Sequence, residues 1–185
     1  MNYDNEIKNQ LQNYLISQKM ISNQTVWQPQ IGGRTNKVWR LVDEKDLICK
    51  LYQETKINPL FNNTPEAEYK SLLWLDGSNI APKPYKYLRT PFGKVLLYNY
   101  IKGHTWSHDV DIVSELLTRV RRHKYPKGLR ILSNMPLNIK QTGLEIINKL
   151  NSYHKNKLIK ICPDVLNSDI EPVLLHTDVV PGNLI

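Results

Sequence analysis

The sequence predicts an α+β fold, with an antiparallel sheet and its helices in the first half and a helical second half. Two observations predict it. Short runs rich in Val, Ile, Leu, Trp and Tyr alternate with turn-forming clusters up to about residue 101. Beyond Gly103 the apolar residues recur three and four positions apart instead. Neither half contains an internal repeat or a low-complexity segment.

Residues 4–19 set Ile7, Leu11, Tyr14 and Leu15 at helical spacing, which predicts an amphipathic helix. Segments 25–31, 37–42 and 47–52 follow, separated by "GGRTN" and "DEKD", and read as a three-stranded antiparallel meander. "TPEAEYKSLLWLDG" reads as a helix with Thr64 as N-cap, Pro65 in the first turn and Gly77 as the stop. Two strands then flank "TPFG", and the second, Val95 to Ile101, is apolar enough to lie inside the sheet. Val110, Val113, Leu116, Leu117 and Val120 stripe one later helix. Leu144, Ile147 and Leu150 stripe another at 139–154, with "PKGLRILSNMP" as the loop between them.

At 185 residues, 41% hydrophobic and 23% charged, the chain fits one soluble domain or two small lobes. The N-terminus has no basic stretch followed by an apolar run, and the longest apolar stretch, near "VLLYNYI", is too short to span a bilayer. Cys49 and Cys162 form no CxxC pair, which argues against a disulfide framework or a zinc site and for a reducing, cytoplasmic setting. The net charge is +8, but the one dense basic run, "RVRRHK" at 119–124, ends a helix, where cations suit the dipole. That argues against a nucleic-acid-binding module. The positive balance equally suits a nucleoside triphosphate.

Four places carry residues with chemical potential. Gly32 and Gly33, in "IGGRTNKV" between two strands, allow either a plain hairpin turn or a backbone cradle for phosphate oxygens. Lys50 sits mid-strand in "LICKLY", where alternation puts Cys49 and Leu51 on one face and Ile48, Lys50 and Tyr52 on the other. It is either a charge aimed into a cleft or a lysine guarding a sheet edge. Glu68 shares a helix face with Leu72 and Leu75, so its carboxylate would need a partner, for which Lys50 is available; Glu66 is the exposed-looking alternative. Last, "LLHTDVVPGNLI" places Asp178 and Asn183 on either side of Pro181-Gly182, as a surface turn or as a proton acceptor beside a metal-binding amide. A glycine-rich turn, strand lysine, helix glutamate, apolar strand, helices and H-x-D-x-x-x-x-N, in that order, are the parts of a kinase.

Taken together, "GGRTNKVWRL", "LICKLY", "EAEYKSLLWLDGSNIAPKPY", "GKVLLYNYIKG" and "LLHTDVVPGNLI" resemble the aminoglycoside phosphotransferase and choline kinase superfamily, small-molecule relatives of protein kinases. The resemblance implies a protein-kinase-like two-lobed fold, with a nucleotide-binding N-lobe over 1–101 and a helical C-lobe over 102–185. It implies ATP-dependent phosphorylation of a small-molecule hydroxyl: a choline-like amino alcohol, an aminoglycoside or a sugar. Gly32 and Gly33 would belong to the nucleotide loop, and Lys50, held by Glu68, would neutralise phosphates. Asn99 and Ile101 would offer backbone groups to the adenine. Asp178 would take the substrate's proton, Asn183 would bind Mg²⁺, and His176 would brace the loop.

Thr177 replaces the family's usual Gly, and Val179-Val180 replaces a commoner Leu-His pair. The family pattern also continues into a strand and an "I-D" segment whose Asp bridges the metals. That segment does not follow here, so the expected C-lobe is incomplete and turnover is not expected of the chain alone. The alternatives are completion by a separate C-terminal polypeptide or a catalytically inactive nucleotide-binding remnant.

Overall fold

The computed structural model describes residues 3–30, 35–53, 63–104, 106 and 109–123, with three further helical positions at 145, 148 and 153. The expected helix at 139–154 falls almost wholly outside these residues, as do Gly32, Gly33, His176, Asp178 and Asn183. The described part is α+β. Its elements run α1 (Tyr3–Ser17), β1 (Val26–Pro29), β2 (Lys37–Val42), β3 (Leu47–Tyr52), α2 (Pro65–Leu75), β4 (Pro84–Thr90), β5 (Gly93–Asn99) and α3 (Val110–Arg122).

The five strands form one sheet in the order β1-β2-β3-β5-β4, with every pair antiparallel. The meander of the first three strands stands as the sequence predicts. The second hairpin inserts β5 beside β3, so the most apolar strand, with Val95, Leu96 and Leu97 all fully buried, is an interior one. β5 ends at Asn99, two residues before the expected Ile101, although the Tyr100 N–H still donates to the Asp46 carbonyl at 2.9 Å, the next position in register with β3. Gly93 closes the β4–β5 turn at a φ of 127°, and a Cβ there would stand 3.2 Å from both the Leu51 side chain and the Tyr52 carbonyl.

Register sorts side chains onto two faces. Trp39, Leu41, Leu47, Cys49, Leu51, Val95 and Leu97 join Leu11 and Leu15 of α1 in the main core. A smaller cluster on the opposite face gathers Tyr52, Leu72 and Leu96, with Tyr69, Tyr87 and Tyr98 packed against it. α2 lies on this second face through Leu72, while Pro65 and Leu75 are also buried. Thr64 has the extended backbone of an N-cap, but its hydroxyl makes no capping bond. The acidic first turn, Glu66 and Glu68, meets the positive helix end instead.

α3 follows the predicted stripe only in part. Asp109 caps it by accepting from the Asp111 and Ile112 N–H groups, and Val120 packs on Leu75, Ile80 and Ala81. Val110 lies about 15 Å away at the other end of the helix, beyond that contact, and is exposed. Arg119, in the basic run, donates to the Ser78 carbonyl at 3.1 Å. No helix among the described residues is long and apolar enough to cross a membrane.

Candidate functional site

Strand alternation decides where Lys50 goes. Its neighbours Cys49 and Leu51 are drawn into the main core, which turns Lys50 to the α2 side with Tyr52. Cross-strand, it is flanked by Val38 on β2 and Leu96 on β5. Lys50 is therefore on an interior strand, which removes the edge-lysine reading. A cation in this setting requires a counter-charge, and α2 supplies one.

The Lys50 Nζ donates to both carboxylate oxygens of Glu68, at 2.9 and 2.7 Å. Tyr52, buried two residues along β3, donates its hydroxyl to Glu68 Oε2. Burial and the adjacent Glu68 charge push the Tyr52 phenol well above its ordinary range, so it remains a proton donor. The Lys50 Nζ also lies 5.0 Å from the Tyr52 ring centroid. The ion pair is not sealed: Lys50 keeps 20% and Glu68 35% of their side-chain exposure.

Glu66 corrects the expectation that it is the exposed glutamate of the helix. At 29% exposure its side chain is more enclosed than that of Glu68. It accepts from the Tyr87 hydroxyl at 2.7 Å and pairs with Lys94 at 3.0 Å, while Arg89 stands 3.6 Å away. The Tyr87 bond, reinforced by Lys94, holds the Glu66 carboxyl down to about 2. From the sequence alone Tyr52 has no role, and Glu66 reads as the exposed-looking alternative to Glu68. The signal for Tyr52 was present, since the alternation in "LICKLY" puts it beside Lys50.

On the same face, Tyr98 pairs across the strands with Ile48, and burial pushes its phenol up. Asn99 and Ile101 lie where β5 leaves the sheet. The Asn99 N–H is taken by the Lys83 carbonyl at 2.9 Å, so its part in any further contact there falls to its carbonyl. Arg40 forks onto Asp46 at 2.7 and 2.8 Å and lies 3.8 Å from the Tyr100 ring centroid, pinning this exit segment to the β2–β3 turn. Where the glycine-rich turn rejoins the described chain, Asn36 and Asn63 exchange side-chain hydrogen bonds of 2.9 and 2.8 Å. They link the start of β2 to the approach to α2.

The structure thus brings Lys50 and Glu68 together, and sets Asn99 and Ile101 at the end of the neighbouring strand. Among the described residues no three His, Cys, Asp or Glu side chains gather as a metal site.

No family model matches the chain, and no curated protein matches it in sequence. Among solved structures the chain is similar to a choline kinase from Cryptosporidium parvum Iowa II, with a TM-score of 0.51 and 12% identity. The match covers 77% of this chain and 44% of that kinase, so the chain spans under half the length of the kinase it resembles. At this identity the likeness is one of fold. The five-stranded antiparallel sheet with its helices is kinase-like.

Proposed function

We propose that this chain carries the nucleotide-binding part of a small-molecule kinase of the aminoglycoside phosphotransferase and choline kinase type. The observation that carries the reading is the Lys50–Glu68 pair on a kinase-like sheet, with both carboxylate oxygens engaged. A partly exposed ammonium held by a helix carboxylate suits the phosphates of ATP, because it offers positive charge at a fixed position. In this reading residues 1–101 form the nucleotide lobe, and 102–185 lead through helices to the catalytic loop.

The remaining assignments follow from the family pattern. Gly32 and Gly33 cradle phosphate oxygens, and the Asn99 carbonyl and the Ile101 N–H face the adenine. Asp178 takes the acceptor's hydroxyl proton as its oxygen bonds to the terminal phosphorus, and ADP leaves with the bridging oxygen. Asn183 would hold Mg²⁺, which would neutralise phosphate charge. Acceptors of this kind include amino alcohols such as choline, aminoglycosides and sugars.

The test is a binding titration of the chain with ATP and Mg²⁺, followed by a phosphotransfer assay over those three acceptor classes. Saturable ATP binding supports the nucleotide site, and transfer to one acceptor class, which is not expected of the chain alone, would identify the substrate. Absence of ATP binding by the folded chain would remove the reading.

A further inference from the structure

Glu66 and Glu68 are two positions apart on α2, which sets them about 200° apart around the helix axis. They cannot grip the same group, and they do not. Glu68 reaches Lys50 and Tyr52 on β3, while Glu66 reaches Tyr87 on β4 and Lys94 on β5. The first turn of α2 is thus tied to three strands by carboxylates diverging from its two sides. Rolling the helix far enough to lift Glu68 off Lys50 would drag Glu66 off Tyr87 and Lys94.

We propose that Glu66 is a positioning residue for the Lys50–Glu68 pair: by gripping β4 and β5 it stops α2 rolling and holds Glu68 on Lys50 before any ligand arrives. The role deepens the nucleotide-site reading and rests on it for its functional meaning. The grip comes mainly from the Tyr87 hydroxyl bond, which is partly buried and charge-assisted. Arg89, 75% exposed and 3.6 Å away, adds little. From the first turn of α2 the other polar link to the sheet is Glu68 itself; the remaining hold is apolar, through Leu72 on Tyr52 and Leu96 and Tyr69 on Tyr87, and fixes the helix's distance more than its roll.

The test reads Lys50 directly and needs no nucleotide. The intact chain is acylated briefly at neutral pH with a water-soluble amine reagent. Lys50 labelling is then measured by mass spectrometry against Lys70, an exposed lysine on α2. Glu66→Ala should raise Lys50 labelling relative to Lys70 about tenfold, the scale of losing one charge-assisted hydrogen bond. Glu66→Gln, whose amide oxygen still accepts from Tyr87, should restore most of the protection, and Tyr87→Phe should remove part of it.

A Lys50 rate unchanged in folded Glu66→Ala would overturn the proposal. So would an equal rise at Lys50 and Lys70, which marks general loosening. If Glu66→Ala does not fold, Tyr87→Phe decides, and unchanged Lys50 labelling in that variant overturns the proposal as well. Failure of Mg²⁺–ATP to protect Lys50 in the parent chain would count against the nucleotide reading alone, because the comparison among variants is made without it.

Discussion

On the α1 side of the sheet, Leu41, Leu47, Cys49, Leu51, Val95 and Leu97 close over Leu11 and Leu15 with almost no exposed area. On the α2 side, the same strands present Lys50, Tyr52 and Tyr98, and the helix above answers with Glu66 and Glu68. Strand β3 belongs to both faces. Its odd-numbered residues are apolar, while of its even-numbered ones Lys50 carries charge and Tyr52 a hydroxyl beside the apolar Ile48. The first face can be sealed because nothing on it needs water, and burial there also pushes the Cys49 thiol up and out of reactive range. The second must stay partly open, because an ammonium is costly to bury and useful only where a ligand can reach it. One sheet thus separates a sealed apolar face from a partly open face that carries charge.

Three substitutions would break or sharpen this contrast. The largest effect belongs to the sealed face. Leu97→Ala deletes a fully buried side chain between α1 and the sheet and should cost about 2–5 kcal/mol, read by denaturant unfolding. A loss under about 1 kcal/mol would mean that this face is not the packed one.

A smaller effect belongs to Glu66 and depends on pH. Its carboxyl is held at about 2, below its ordinary value of 4.5. Protons therefore bind the unfolded chain first as pH falls, and the stabilisation from Glu66 is present above about 4.5 and lost on the way down to about 2. Glu66→Gln should flatten the fall in stability across that window, lowering the thermal midpoint most near neutral pH and least near about pH 2, where Glu66 is itself protonated. An unaltered acid profile would show that Tyr87 and Lys94 do not hold the carboxylate in solution.

Much of this contrast was legible in the sequence. Alternation in "LICKLY" assigns both faces of β3, and the spacing from Glu68 to Leu72 and Leu75 turns that carboxylate toward the sheet. The use of Glu66 was not legible. It lies off that apolar stripe, and its partners come from strands some twenty residues later, brought within reach by the register that sets Tyr87 opposite Leu96 and Arg89 opposite Lys94. Thr64 had the residue type and backbone of a cap, yet first-turn carboxylates met the helix end. The glycine turn and the Asp178–Asn183 loop rest on their motifs.

The central claim is that the α2 face presents a phosphate-binding lysine. The most direct measurement is the thermal midpoint of the chain with and without Mg²⁺–ATP, compared between the parent and Lys50→Met. Met keeps the length and packing of the side chain but removes the ammonium, so Glu68 keeps Tyr52 and loses its cation. A ligand-dependent rise in the parent that vanishes in a folded Lys50→Met is the predicted result. An equal rise in both would place the nucleotide elsewhere and contradict the account.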